Sequence, residues 1–255
     1  MSGYFPLDAL DGNDSGLVQA LFNENQGLRE QISHHTQLMQ LLTHQLATPL
    51  TALNGSVQLL AEPDLNTEQR CEFLAVLEQQ LARLQSLLDD LIALRNLETG
   101  KFETRVEDFA IADLIQEVAA DFSPYPLVYQ FPEEIPLVEG DRWQVSQVLV
   151  NLLSNAIKYS PNGQAVEIGI STSQPGWIEV WVKDHGLGIP EADQPYLFER
   201  FYRVKHRDRQ HINGTGLGLS LCKRLVENQR GSMGFESTHG KGSRFYFTLP
   251  AAASL

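Results

Sequence analysis

The chain has 255 residues, an apolar content of 42% and a formal net charge of −13, which together predict a soluble globular protein of one large or two modest domains. So acidic a chain is a poor match for nucleic acid or an anionic membrane, because both would repel it. No window approaches the roughly 18 uninterrupted apolar residues that span a bilayer, so we expect no membrane insertion by this chain. Its two cysteines, Cys71 and Cys222, lie in helix-like patterns and indicate free thiols in a reducing cytoplasm rather than a disulfide or metal site.

A first long helix is predicted from about Val18, after a flexible leader at residues 1–16. From Val18 to Leu53 every seventh residue is apolar except Asn25, and a second set follows three residues after each of the first four, apolar except for His35. This is the spacing of a coiled-coil seam. Asn25 falls on the seam and is interpreted as a device that fixes register and strand number.

A second helix of the same kind follows a break at Glu62-Pro63-Asp64. Asn66 or Thr67 can cap it, and its leucines alternate by three and four positions from Leu74 to Leu91. One hairpin of two such helices would leave a wide apolar stripe in water. Residues 17–100 are therefore predicted to form an all-α hairpin that pairs with a second copy as a dimeric four-helix bundle.

Residues 101–255 have a mixed pattern. Stretches 166–171, 177–182 and 244–249 alternate in the manner of strands, and helical patterns occupy 111–122, 141–159 and 216–229. The mixture predicts an α+β two-layer sandwich with helices on one face of a sheet.

A histidine on the first helix stands out. With Met39 and Leu42 in the seam, His44 falls on the side away from partner helices, and Pro49 should bend the helix beside it. An exposed histidine is usually only solvated. However, the segment His44-Gln45-Leu46-Ala47-Thr48-Pro49-Leu50 resembles the phosphoacceptor box of sensor histidine kinases of two-component systems, which implies that His44 is the residue phosphorylated. His35, on the seam of the same helix, is interpreted as a packed or partly exposed core residue, with a rival phosphoacceptor as the alternative.

Two positions of this box depart from the family pattern: Gln45 replaces an acid and Ala47 replaces an arginine. The family's acid helps take the imidazole proton, whereas an amide can orient the ring but cannot act as a base at neutral pH. Because imidazole already has a neutral nucleophilic form near pH 7, we expect a slow or partner-stimulated autokinase. Thr48 matches the family position that orients a water for dephosphorylation of the partner; a threonine that only bonds its own helix backbone is the alternative.

Three polar residues at spacing i, i+4, i+7 share one face of the 141–159 helix: Asn151, Asn155 and Lys158. The segment 151–160 resembles the asparagine box of the ATPase superfamily that contains histidine kinases and Hsp90. The resemblance implies that Asn155 binds Mg²⁺ through its carbonyl oxygen, that Asn151 supports the metal in catalysis, and that Lys158 and the adjacent Tyr159 contact the nucleotide.

The segment Asp184-His-Gly-Leu-Gly-Ile189 follows a predicted strand. At this distance after an asparagine box it resembles the family's adenine-binding loop. The resemblance implies that Asp184 accepts the adenine amino group and that Gly186 and Gly188 let the backbone approach the ring.

Two further segments match the family in its order. Residues 197–203 resemble its F box, which implies that Arg203 contacts phosphate. Residues 204–213 would be a lid over the nucleotide, whose Lys205, Arg207 and Arg209 either meet the triphosphate or are simply solvated. The glycine-rich segment that follows opens a helix, where backbone N–H groups and the helix dipole favour anions. Its implied nucleotide-binding residues are Gly214, Thr215, Gly216, Leu217 and Gly218.

The resemblance covers about residues 18–250. It implies a homodimer that uses Mg²⁺ and ATP to phosphorylate His44 and then passes the phosphoryl group to an aspartate in the receiver domain of a response regulator. An Hsp90-like or topoisomerase-like ATPase would carry a glutamate in place of Asn151 and would lack the His44 hairpin. A weakly active, nucleotide-binding dimeric scaffold is the other alternative. Since fewer than twenty residues precede the coiled coil, we expect either a separate sensory protein as the input or a chain that is a fragment.

Overall fold

The computed structural model describes residues 12–98, 104–160, 163–172, 174–204 and 214–252. The chain divides into two compact units, Met1–Gln80 and Leu81–Leu255. Within the described ranges, no helix combines the length and the apolar character that a membrane crossing needs.

The first unit contains helix α1 (Gly12–Leu60) and the beginning of helix α2 (Thr67–Glu98). Helix α1 begins inside the segment 1–16 that we expected to be a leader. A capping box fixes the start of α2: the backbone N–H of Gln69 donates to Asn66 Oδ1 at 2.8 Å, and the backbone N–H of Asn66 donates to Gln69 Oε1 at 3.2 Å. These bonds satisfy N–H groups that the first helical turn leaves unpaired, and they confirm the predicted cap at Asn66.

The second unit contains the C-terminal part of α2 and a mixed α/β arrangement. In chain order its strands are β1 Glu107–Phe109, β2 Leu127–Gln130, β3 Val138–Gly140, β4 Val166–Ser171, β5 Trp177–Lys183, β6 Met233–Thr238 and β7 Gly242–Pro250. The further helices are α3 Ile111–Ala120, α4 Arg142–Lys158 and α5 Gly218–Asn228. Strands β4, β5 and β7 confirm the three predicted strands, and α3, α4 and α5 confirm the three helical patterns with slightly shorter bounds.

Five strands form one sheet in the order β2-β4-β5-β7-β6, while β1 and β3 form a separate antiparallel ladder. The β2–β4 pair is parallel, and the β4–β5, β5–β7 and β7–β6 pairs are antiparallel. This topology leaves the β4–β5 and β7–β6 connections short and directs the end of β5 into the segment that begins at Asp184.

One face of the sheet forms the core. Ile168, Val180 and Phe247 are fully buried, whereas their neighbours Glu167 and Trp181 are partly exposed, as expected for strands with one covered face. Helix α4 packs against β4 and β5 and lies between α3 and α5. Its leucines are buried in this layer, so the polar face of α4 points away from the sheet.

Candidate nucleotide site

The start of helix α4 is fixed by a buried network. Asp141 Oδ1 accepts the backbone N–H of Gln144 at 3.0 Å, and Asp141 Oδ2 accepts the backbone N–H of Arg105 at 2.9 Å. The backbone N–H of Asp141 donates in turn to Gln229 Oε1 at 2.7 Å, which ties α4 to the end of α5. Because the helix is anchored at this end, the direction of its polar face is set by packing and not only by its sequence.

The two asparagines of α4 contact each other and the glycine-rich loop. Asn155 Nδ2 donates to Asn151 Oδ1 at 2.9 Å. A Cβ atom at Gly218, the first residue of α5, would lie 2.1 Å from Asn151 Nδ2. A side chain there would displace the asparagine, so glycine allows the N-terminus of α5 to lie directly against the asparagine pair. Asn151 and Gly218, which are 67 positions apart in sequence, therefore share one site.

The glycine-rich loop is also joined to the F box. Gly216 has a φ of +75°, and its carbonyl oxygen accepts the backbone N–H of Phe201 at 2.8 Å. Phe201 is buried and has a φ of +63°, a conformation that is costly for a bulky side chain. The bond to Gly216 and the burial of the ring hold Phe201 in that conformation. Helix α5 begins at Gly218, two residues later than the pattern predicted, because Gly216 has a left-handed backbone conformation.

Thr215 connects this loop to helix α2. Its hydroxyl donates to Asp90 Oδ2 at 2.8 Å and accepts the backbone N–H of Leu217 at 3.2 Å. Burial raises the pKa of Asp90, and the hydrogen bond from Thr215 opposes that rise. Burial lowers the pKa of Lys158, and the negative charge of Asp90 opposes that fall. A carboxylate therefore lies among groups expected to bind phosphate.

Asp90 was not predicted as a site residue. It follows Arg83 and Leu87 at spacing i, i+4, i+7, so the three residues share one face of α2. Leu87 is only 2% exposed, whereas the seam leucine Leu88 is 57% exposed. Burial lowers the pKa of Arg83, and the charge of Arg203 lowers it further. The only trace of this site in the sequence is the face formed by Arg83, Leu87 and Asp90 beside the leucine seam. Three residues are too few to distinguish such a face from an ordinary solvated one.

The loop after β5 lies against the end of α4. Asp184 is buried, and its Oδ1 accepts the backbone N–H of Gly186 at 2.9 Å. The backbone N–H of Leu187 donates to the carbonyl oxygen of Tyr159 at 3.1 Å. A Cβ atom at Gly186 would lie 1.9 Å from that same oxygen, and one at Gly188, where φ is +57°, would lie 1.9 Å from the carbonyl oxygen of Thr238. Both glycines are thus required by close backbone approach.

The end of the F box is held in place by a hydrogen bond of Tyr202. Its hydroxyl donates to Asp193 Oδ1, and this bond, followed by burial, raises the pKa of Tyr202 to about 12. Arg203 follows directly and is half-buried. Lys205, Arg207 and Arg209 lie outside the described residues, so their part in a lid stays a prediction.

The phosphoacceptor segment lies within α1. Pro49 is buried, whereas Leu46, Ala47 and Thr48 are exposed. The backbone of His44 is helical, but its side chain lies outside the described residues. The outward orientation of the imidazole therefore stays a prediction, as do the roles of Gln45 and Thr48.

Two protein-family models match the chain. The His Kinase A (phospho-acceptor) domain matches residues 34–100, and the histidine kinase-, DNA gyrase B-, and HSP90-like ATPase matches residues 140–253. A curated relative, the adaptive-response sensory kinase SasA of Synechococcus sp. (strain JA-3-3Ab), is 34% identical over 242 residues, which cover 91% of this chain and 64% of the relative. The chain thus spans just under two thirds of that protein.

Two solved structures of known proteins are also similar to this chain. Full-length ShkA in complex with AMPPNP is 27% identical, with a TM-score of 0.62 over 84% of this chain and 46% of that one. Histidine kinase ThkA in complex with the response regulator protein TrrA shares the fold, with a TM-score of 0.70 at 22% identity over 91% of this chain and 66% of that one. Because the phosphoacceptor and ATPase domain models match in this order and the curated relative is of the same kind, the chain belongs to the sensor histidine kinases of two-component systems.

Proposed function

We propose that this chain binds Mg²⁺ and ATP, phosphorylates itself on His44 as a dimer, and transfers the phosphoryl group to an aspartate of a response regulator. The observation that carries the proposal is the meeting of the Asn151–Asn155 pair with the glycine-rich loop at Gly218. It brings polar side chains and the N-terminus of α5 together, and this combination favours a bound phosphate group.

The adenine end of the nucleotide is assigned to Asp184. Its carboxylate is buried and held by Gly186, so it is oriented before a ligand arrives. A carboxylate accepts a hydrogen bond from the amino group of adenine but offers no donor to the carbonyl oxygen of guanine. This supports selectivity for ATP over GTP. Gly186, Gly188 and Tyr159 would let the backbone lie close to the ring.

The phosphate end is assigned to the polar face of α4 and the loop before α5. Asn155 uses its amide nitrogen to bond Asn151, so its carbonyl oxygen is the side-chain atom suited to Mg²⁺, a cation that prefers oxygen ligands. Bound Mg²⁺ would offset phosphate charge during transfer. Lys158 and Arg203 supply positive charge. The loop residues assigned to the phosphates are Gly214, Thr215, Gly216, Leu217 and Gly218.

In the transfer step an imidazole nitrogen of His44 attacks the γ-phosphorus of ATP. A nitrogen–phosphorus bond forms, the bond from that phosphorus to the bridging oxygen breaks, and ADP leaves with the electron pair. The other imidazole nitrogen then releases its proton to solvent water. Gln45 can orient the ring but cannot take that proton, since an amide is not a base at neutral pH. An aspartate oxygen of the regulator then attacks the same phosphorus, the nitrogen–phosphorus bond breaks, and the ring takes up a proton from solvent as it leaves as neutral His44. Thr48 is assigned to the later hydrolysis.

The dimer is supported by the apolar surface that a single copy exposes. Met39, Leu74 and Leu81 on the predicted seams are 58%, 47% and 52% exposed. Single exposed apolar residues are normal, but several of them on the predicted seams of two helices favour association. A second copy would cover these side chains in a four-helix bundle.

Labelling with ATP that carries a marked γ-phosphate tests the proposal. The chain should acquire label that is stable in base and labile in acid, and His44→Ala should abolish it. His35→Ala is the matched control on the same helix and should retain the label. Label that persists in His44→Ala would overturn the assignment of the phosphoacceptor.

A second variant tests whether the lack of an acid at position 45 slows autophosphorylation. Gln45→Glu restores a base beside the ring, and the autokinase rate should rise at least about tenfold, since a general base contributes roughly 10²–10⁴ in rate. Nucleotide binding without any label, in both the native chain and Gln45→Glu, would instead favour the weakly active scaffold.

A further inference from the structure

The nucleotide site contains an anionic side chain that the proposed chemistry does not use. Asp90 belongs to α2, yet its Oδ2 atom lies 2.8 Å from the hydroxyl of Thr215 in the glycine-rich loop. Its charge also acts on Lys158 at the end of α4. Both of these partners are groups that a triphosphate would use.

The Asp90 carboxylate accepts its hydrogen bond beside the N-terminus of α5, where a phosphate group would be expected to bind. Thr215 donates to Asp90 while its oxygen accepts the backbone N–H of Leu217, one residue before α5 begins at Gly218. A helix N-terminus carries partial positive charge and attracts anions. The Asp90 carboxylate accepts the hydroxyl of Thr215, and its charge acts on the ammonium group of Lys158. It therefore presents the same kind of negative oxygen acceptor as the outer oxygens of a phosphate.

The face of α2 that carries Asp90 also carries Leu87, which is buried in this arrangement, and burial of an apolar side chain is favourable. Arg83 lies close enough to Arg203 for the two positive charges to repel, which opposes the arrangement. Such a contact can be released when a competing anion takes over Thr215 and Lys158.

We propose that the α2 face formed by Arg83, Leu87 and Asp90 docks into the nucleotide site of its own chain, where the Asp90 carboxylate competes with the phosphates of ATP for Thr215 and Lys158. The inference rests on the proposed function of that site and adds a means of regulating it. Release of Asp90 frees the threonine hydroxyl and the lysine ammonium for the nucleotide. The bond from Thr215 that orders the loop is then given to a phosphate oxygen in place of a carboxylate oxygen.

The test compares equilibrium binding of ATP by the 255-residue chain and two variants. Asp90→Asn keeps the size of the side chain and an oxygen acceptor but removes the charge, so ATP should bind about tenfold more tightly, a change that corresponds to about 1.4 kcal/mol. Asp89→Asn removes a neighbouring exposed charge from the same helix and should leave the affinity within about twofold. The autokinase rate at low ATP should rise in Asp90→Asn and not in Asp89→Asn.

The ATP affinities of the three proteins distinguish the proposed competition from its alternatives. If the native chain and Asp90→Asn bind ATP equally well, the competition is overturned and the proposed function stands. An equal gain in both variants would indicate a general effect of negative charge and would also overturn it. If the native chain and both variants fail to bind ATP, the proposed function itself fails and the inference falls with it. Denaturant unfolding of all three proteins checks that Asp90→Asn is folded.

Discussion

Gly186→Ala tests the part of the nucleotide site that depends on close backbone approach. The added Cβ atom would lie 1.9 Å from the carbonyl oxygen of Tyr159. To reach an ordinary contact of 3.4 Å, the loop after Asp184 must move by about 1.5 Å from the end of α4. The obstacle is backbone, so no side-chain rotation can relieve it.

The magnitude follows from the bonds that such a movement breaks. The backbone N–H of Leu187 would lose the Tyr159 oxygen, and Asp184 would lose the backbone N–H of Gly186. Each bond contributes about 1 kcal/mol net. A loss of about 2 kcal/mol, if ATP must restore both bonds on binding, corresponds to roughly thirtyfold weaker affinity.

Isothermal calorimetry with ATP measures the effect, with Gly176→Ala as the matched control. Gly176 has a φ of +78° and open space around its missing side chain. It lies in the turn before β5, so an alanine there would add backbone strain without blocking the loop. Gly176→Ala should lower stability slightly and leave the affinity unchanged. Equal affinities for Gly186→Ala and the native chain would refute the role given to the contact with Tyr159.

Three smaller predictions concern the frame of the site. Asp141→Ala should lower the free energy of unfolding by about 2–4 kcal/mol, because it removes a helix cap and a buried charged acceptor; Asp113→Ala, an exposed acid in the first turn of α3, should change it by less than about 0.5 kcal/mol, and denaturant titration compares them. Hydrogen bonds from Lys183 and His185 lower the pKa of Glu167 in the folded protein. Ionised Glu167 therefore stabilises the fold above the pKa of the unfolded state, and this stabilisation is lost as the pH falls through the folded-state pKa. Glu167→Gln should flatten the fall of the free energy of unfolding at acid pH. Tyr202 is stabilised in its neutral form, so its contribution is present below pH 10.0 and is lost as the pH rises toward about 12; an ultraviolet titration of Tyr202→Phe should lack that late phase.

The sequence predicted the elements whose patterns are long and regular. Strands β4, β5 and β7 alternate over six residues or more, and the family motifs lie at their ends. Strands β1, β2 and β3 were missed because each has only three or four residues, too few for alternation to be recognised. Strand β6 was missed for another reason: Gly234 lies in it, and a glycine in the interior of a strand weakens the sequence signal.

The sequence could not predict how α2 meets the glycine-rich loop. The seam leucines dominate the pattern of α2, and one buried leucine between Arg83 and Asp90 adds no periodicity of its own. The bond between Asp90 and Thr215 joins residues 125 positions apart, so it follows from tertiary packing and not from any local preference. The same holds for Gly218 against Asn151, although the family resemblance placed both residues in one site.

The two faces of α2 give the proposed competition a mechanical consequence. The seam leucines, such as Leu88, and Asp90 project from one rigid helix, so any rotation that repacks the seam turns Asp90 by the same angle. At about 5 Å from the helix axis, a rotation of about 20° displaces an atom by roughly 2 Å, which is enough to break a hydrogen bond of 2.8 Å. Pairing of two copies through the seam should therefore alter ATP affinity in the native chain, and a dilution series across the monomer–dimer transition measures this. In Asp90→Asn the affinity should no longer follow the dimer fraction; an equal dependence in both proteins would contradict a link through Asp90.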